Sequence, residues 1–137
     1  MSDSRPISQV PWQVTMDEFL RAAGEVTEGG ACCMFLIDDS IPQAARTGYA
    51  ALVIAYARAG EPVCILDDGS AALLVRDGGT VSGQVVARRV LDQMRRLSLD
   101  HTLRAGVAAL GSDATAAVAN AHSAAASGEA GSIVTSG

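Results

Sequence analysis

The sequence predicts an α+β domain in which helices cover both faces of a sheet that contains antiparallel neighbours. Two observations carry this prediction. Cys32–Asp38, which reads CCMFLID, is a continuous apolar run of strand length, typical of a central strand buried on both faces. Asp67–Ser70 then separates two further apolar runs, and Asp-Gly at such a place is a strong hairpin signal. The chain has 137 residues, which suits a single core.

The first helix is predicted where a polar lead-in ends. We expect residues 1–13 to form a loose lead-in and residues 14–137 to form one domain. Thr15, with Glu18 three residues later, is a capping-box pattern, and apolar residues follow at helical spacing. We expect this helix to end at Gly29, the first of two glycines, because glycine is favoured just past a helix C-terminus.

The rest of the chain alternates strands and helices. Asp39 or Ser40 can cap a helix that runs to about residue 59. The hairpin is followed by the clearest helix, Val81–Leu97, whose arginines form a charged face. A strand at Thr102–Leu110, an alanine-rich helix and a short strand at Gly131–Ser136 complete the pattern. The order therefore predicts a ferredoxin-like βαββαβ core with an added N-terminal helix and an added C-terminal helix and strand.

Composition and charge exclude several classes of function. The formal net charge of -5 argues against a nucleic-acid partner. No apolar run approaches the roughly 20 residues that span a bilayer, and the first residues lack the apolar segment of a signal peptide. We therefore expect a cytoplasmic protein without membrane contact and without a bound cofactor. Cys32, Cys33 and Cys64 lack metal-ligand spacing and are expected to be buried free thiols.

The acids of the hairpin allow two interpretations from the residues alone. Asp67, Asp68 and Gly69 can form a type I′ turn whose carboxylates are solvated. Alternatively, the two acids can converge with Asp38 and Asp39 at neighbouring strand ends and hold a metal ion. The second interpretation predicts a divergent metal-dependent nucleotide enzyme that uses these four carboxylates.

Several short segments, taken with their order, resemble the GGDEF domain of diguanylate cyclases. The C-terminal part reads LRAGVAALGSDATAAVANAHSAAASGEAGSIV, in which Gly106 lies at the family's Gly-Val strand and His122 replaces a usual Asp. FLIDDS is similar to the family's first strand, and Asp38 matches its metal-binding position. The resemblance covers roughly residues 15–135 and implies the nucleotide-cyclase-like palm fold.

The family's signature is absent at the hairpin. The positions of the GGDEF motif are taken here by Asp67, Asp68, Gly69, Ser70 and Ala71. Gly69 stands where a metal-binding acid is expected, and the family's guanine-reading Asn and Asp and its LTGLPNRR segment are not found. The resemblance therefore implies a degenerate domain without cyclase activity, in which Asp38 is a vestigial metal ligand. It further implies a regulatory or protein-interaction module of bacterial cyclic di-GMP signalling, with a protein partner and with a homodimer as a candidate assembly.

A second family site is matched ahead of the hairpin. Arg58 and Glu61 form an R-x-x-E pattern where the family has an R-x-x-D site for cyclic di-GMP. Arginine can donate two hydrogen bonds to a phosphate or a guanine edge, and a carboxylate can accept from guanine nitrogens. The resemblance therefore implies cyclic di-GMP as a candidate ligand of Arg58 and Glu61. The alternatives are a solvated helix end and a different α+β sensor that shares only the order of elements.

Overall fold

A computed structural model of the chain describes residues 13–26, 29–56 and 62–136. The strands and main helices within these residues are β1 (Gln13–Val14), α1 (Met16–Gly24), β2 (Ala31–Ile37), α2 (Gln43–Tyr56), β3 (Val63–Ile65), β4 (Ala71–Val75), α3 (Gly79–Arg96), β5 (Leu103–Ala109), α4 (Ala114–Ser127) and β6 (Ile133–Ser136). A short 3-10 helix at Asp100–Thr102 precedes β5. In this part of the chain no helix combines the length and apolarity needed to cross a membrane.

The strands form one six-stranded sheet in the order β1-β3-β4-β2-β5-β6. Strand β2 lies between β4 and β5 and is antiparallel to both, so Met34 faces Ala72 on one side and Gly106 on the other. Strands β3 and β4 form the hairpin, while β1 and β6 add parallel strands at the two edges. This topology confirms the ferredoxin-like βαββαβ core with its added helix and C-terminal helix and strand. The two-residue strand β1 was not predicted.

Both faces of β2 are covered by helices, as the apolar run predicts. Cys33 and Phe35 belong to a core cluster with α2 and α3, whereas Cys32 and Met34 belong to a second cluster with α1 and α4. All four side chains are buried. The alternation follows from the two-residue period of a strand, in which successive side chains point to opposite faces.

Helix α1 begins as predicted and ends earlier. The Glu18 N–H donates to Thr15 Oγ1 at 3.2 Å and the Thr15 N–H donates to Glu18 Oε1 at 3.0 Å, which completes the capping box. The helix ends at Gly24, so the prediction of an end at Gly29 is wrong by five residues. The N–H of Glu25 turns back onto carbonyls of the last turn and closes the helix there.

Helix α4 packs with its backbone directly on β5. A Cβ atom added at Gly106 would overlap the Ala121 carbonyl oxygen and would lie 2.5 Å from the Ala125 nitrogen. Only glycine permits this approach without a shift of the helix. The absence of a side chain at Gly106 therefore lets the backbones of β5 and α4 approach closely.

The three cysteines are buried free thiols, as expected. Burial raises the pKa of Cys33 to about 12 and also raises the pKa values of Cys32 and Cys64. The Cys33 thiol donates a hydrogen bond to the Gly83 carbonyl at 3.3 Å, which ties α3 to β2. These thiols are protonated packing groups rather than nucleophiles.

Candidate functional site

The end of β2 and the tip of the β3–β4 hairpin lie beside each other and open into a polar cleft of about 280 Å³. The cleft brings together three of the four acids that the sequence analysis considered. Its lining consists of Leu36, Ile37, Asp38, Asp39, Asp68, Arg104, His122 and Ala126. The fourth acid, Asp67, is exposed at the hairpin tip and does not line the cleft.

The hairpin turn differs from the predicted type I′ turn. A type I′ turn needs a positive φ at both central residues, yet Ser98 is the only non-glycine residue with a positive φ among the described residues. The Gly69 N–H donates to the Leu66 carbonyl at 2.9 Å, and Gly69 itself has a φ of +87°. The two acids therefore occupy the middle of the turn, and the glycine follows them in the left-handed position of a longer hairpin loop. The Asp68 carboxylate accepts from the Ser70 N–H at 2.9 Å.

Asp38 uses its carboxylate to shape the turn after β2. Its Oδ1 accepts from the Ser40 N–H at 2.9 Å. This hydrogen bond, followed by a bond from the Ser40 side chain and by the charges of Arg104 and Arg46, holds the pKa of Asp38 below its ordinary value of 3.8. Helix α2 begins only at Gln43, so neither Asp39 nor Ser40 stands immediately before it as the expected cap.

Arg46, which the sequence analysis did not single out, connects the two acidic turns. Its Nη1 donates to the Asp68 carbonyl at 2.9 Å, its Nη2 to the Asp38 carbonyl at 3.1 Å, and its Nε to the Ile41 carbonyl at 3.1 Å. The residue is only 9% exposed. The available signal in the sequence is that Arg46 is the single charged residue in α2, QAARTGYAALVIAY.

The residues of this end do not fit a divalent metal ion. The described part of the chain contains no group of three His, Cys, Asp or Glu side chains that could hold one. Gly69 supplies no carboxylate, and a Cβ atom there would lie 2.9 Å from the Cβ of Arg46. The carbonyl oxygens of Asp38 and Asp68 accept hydrogen bonds from Arg46.

Two further polar side chains complete the cleft. The Nε atom of Arg104 is buried and has no hydrogen-bond partner among the described residues. His122, on α4, is exposed and lies between the polar cleft and a neighbouring groove of about 460 Å³. That groove is lined mainly by apolar side chains of α1 and α4, among them Leu20 and Val118. The predicted ligand residues Arg58 and Glu61 lie outside the described residues.

Comparison with known proteins identifies the fold through solved structures. The chain matches no protein-family model and no curated protein sequence. It is similar to the GGDEF domain of TpbB, also called YfiN, from Pseudomonas aeruginosa, with a TM-score of 0.69, 20% identity and coverage of 90% of this chain and 90% of that chain. It is also similar to the GGDEF domain of FimX from Pseudomonas aeruginosa, with a TM-score of 0.62, 16% identity and coverage of 93% and 98%.

A third similar structure is a microbial GGDEF domain described for its interaction with bis-(3,5)-cyclic di-GMP. Its TM-score is 0.63 at 15% identity, with coverage of 87% of this chain and 88% of that chain. The chain thus has the GGDEF-like, nucleotide-cyclase-like palm fold that the resemblance implies, and it spans nearly the whole of each of these domains.

Proposed function

We propose that the chain is a catalytically inactive GGDEF-like domain that acts as a regulatory, protein-binding module in bacterial cyclic di-GMP signalling. One observation carries the proposal: the hairpin tip presents Gly69 where a cyclase needs a metal-binding carboxylate, and Arg46 lies against that glycine. A cyclase needs divalent metal to offset the charge of its triphosphate substrate. The protonated buried thiols of Cys32 and Cys33 fit a reducing compartment, which supports a cytoplasmic location.

The test is an assay of the purified chain with GTP and either magnesium or manganese, alongside an active GGDEF domain as the positive control. We expect no cyclic di-GMP from the chain. Gly69→Glu should remain inactive, because position 69 has a φ of +87° and its side chain would press on Arg46. Product from the wild type above the level of a heat-treated sample would contradict the proposal.

A protein-binding role is supported by an apolar patch beside β6, which is an edge strand of the sheet formed by the described residues. Val81 and Val85 on α3 are 70% and 63% exposed, and they line a groove with Ile133 of the edge strand β6. Exposed apolar side chains next to an unpaired edge favour contact with another chain. Sedimentation velocity of the wild type and of Val85→Asp tests whether that chain is a second copy, since a homodimer formed there would dissociate in the variant.

A second candidate function is reception of cyclic di-GMP through Arg58 and Glu61. The R-x-x-E pattern and the similarity to a domain that interacts with cyclic di-GMP support it. Calorimetry should show binding by the wild type and by Arg89→Ala, a variant of an exposed α3 arginine, but none by Arg58→Ala. Asp67→Ala should bind equally or slightly better, because its removal lowers repulsion of phosphate. Equal binding by Arg58→Ala would move the site elsewhere.

A further inference from the structure

Three chain segments meet at the Arg46 side chain. Its hydrogen bonds reach the residue after β2, the segment before α2 and the tip of the hairpin, and all three acceptors are main-chain oxygens. The contact with Asp68 joins residues that are 22 positions apart in the sequence. A guanidinium carries five donors in a fixed plane, so one side chain can serve several acceptors at once.

We propose that the guanidinium of Arg46 is the built-in cation of this site, where it joins the end of β2 to the hairpin tip in place of a divalent metal ion. Hard divalent cations bind carboxylate and carbonyl oxygens, which is the donor set that the two acidic turns present. Here those carbonyls are already engaged by a permanent positive charge. The arginine therefore acts as a positioning residue for the hairpin.

Hydrogen-bond accounting at Asp38 supports this assignment. Its carbonyl oxygen accepts from the Ile41 N–H at 3.0 Å and from Arg46 Nη2 at 3.1 Å. A carbonyl oxygen has two lone pairs, so both are used within the chain. The carboxylate of the same residue accepts from Ser40. Asp38 thus has no unused lone pair on its carbonyl oxygen for a metal ion, and one of its carboxylate oxygens already accepts a hydrogen bond.

Charge and shape lead to the same assignment. The cleft gathers the carboxylates of Asp38, Asp39 and Asp68, and the positive charges of Arg46 and Arg104 lie next to them. The repulsion among the acids is thereby offset without an added ion. Gly69 completes the fit, because any larger residue at that position would press on the stem of Arg46.

Local hydrogen bonds close the hairpin tip, one of them from the Ser70 N–H to the Asp68 carboxylate at 2.9 Å. The Gly69 N–H donates to the Leu66 carbonyl at 2.9 Å and the Leu66 N–H donates to the Ser70 carbonyl at 2.8 Å. Beyond these local bonds, Arg46 supplies a tether from the hairpin to the rest of the sheet end. Loss of the tether should release the tip and leave the distant ladder between β2 and β5 in place.

Native-state hydrogen exchange separates such a local tether from a general effect on stability. The variant is Arg46→Met, which keeps the apolar stem, and the matched control is Arg89→Met on the exposed face of α3. We expect the protection of the Leu66, Gly69 and Ser70 amides to fall by roughly tenfold or more in Arg46→Met relative to amides of β2 and β5. Arg46→Lys keeps the charge but lacks the planar set of guanidinium donors, so its loss of protection at these amides should be intermediate. An equal loss at all amides, or none, would overturn the proposal.

The response to metal ions tests the other half of the proposal. At matched ionic strength, manganese should leave the melting temperature of the wild type unchanged and should raise that of Arg46→Met, in which the carbonyls of Asp38 and Asp68 lose their hydrogen bonds from Arg46. A saturable rise in the wild type as large as that in the variant would overturn the proposal. Hydrogen exchange and melting temperature are independent of the proposed catalytic inactivity, which is tested by the formation of cyclic di-GMP from GTP.

Discussion

The middle of the sheet and its hairpin end are held by different kinds of interaction. In the middle, Cys33 and Phe35 are buried against α2 and α3, and Cys32 and Met34 are buried against α1 and α4. This stabilisation comes from apolar burial, which has no preferred direction. At the hairpin end, the chain is held by directed hydrogen bonds from Arg46 to main-chain oxygens.

The difference explains why the fold and the site can diverge separately. A core accepts many apolar side chains of suitable volume, so the sheet resembles that of TpbB at 20% identity. A binding site needs particular atoms at particular distances, and a change of one residue removes a ligand. The middle of the sheet accordingly keeps the GGDEF-like fold at this low identity.

The greatest loss of stability is expected from Phe35→Asp, which places a charge in the middle of the sheet. Phe35 is fully buried, so an aspartate there would lose its hydration. Burial of an unpaired charge costs several kcal/mol against a total stability of about 5–15 kcal/mol, and we expect a largely unfolded chain. Circular dichroism checks this. Asn120→Asp, at an exposed position of α4, is the control and should change stability by less than about 0.5 kcal/mol.

A smaller effect is expected from Gly106→Ala, which tests the contact between β5 and α4. The added methyl group would meet the backbone of α4 at Ala121 and Ala125, and a backbone cannot rotate away as a side chain can. We expect the free energy of unfolding to fall by about 3 kcal/mol, at the upper end of the range for overpacking substitutions. Gly111→Ala, where a Cβ atom meets nothing within 4 Å, is the control for urea unfolding. Equal stability of the two variants would contradict the close approach.

At the hairpin end, Asp68→Ala removes one local hydrogen bond and leaves the tether in place. The Asp68 carboxylate accepts from the Ser70 N–H, whereas Arg46 binds the main-chain carbonyl of Asp68, which the substitution keeps. We expect a loss of about 1 kcal/mol in urea unfolding. Asp67→Ala, the exposed neighbour, should be nearly neutral. A loss as large as that of Arg46→Met would mean that the carboxylate, rather than the tether, holds the tip.

The smallest effect concerns pH and Asp38. The pKa of Asp38 in the folded chain lies below its ordinary value of 3.8, because the ionised carboxylate accepts from Ser40 and faces Arg104 and Arg46. The ionised group therefore stabilises the fold above pH 3.8, and this contribution is lost as the pH falls through the lower folded-state pKa. In urea unfolding between pH 7 and pH 3, the free energy of unfolding should fall less on acidification for Asp38→Asn than for the wild type. The same dependence of unfolding free energy on pH in both proteins would contradict the lowered pKa of Asp38.

Part of the site was predictable because it follows from strand ends. Asp38 and Asp39 come directly after β2, and Asp68 lies in the β3–β4 hairpin. The structure brings all three to one cleft, as the interpretation of converging acids expected. Within the described residues, no group of three His, Cys, Asp or Glu side chains could hold the metal ion of that interpretation. The R-x-x-E site stays a prediction.

The elements whose signals are local can be read from the amino-acid sequence. The run CCMFLID predicted β2 and its two buried faces, and Thr15 with Glu18 predicted the start of α1, because strand alternation and helix capping act over two to four residues. The features that join distant residues become visible in the folded chain: the pairing of β1 with β3 and the bridge from Arg46 to Asp68. A hydrogen bond across 22 residues leaves no periodic trace in the sequence, because its partner is a main-chain oxygen that every residue possesses.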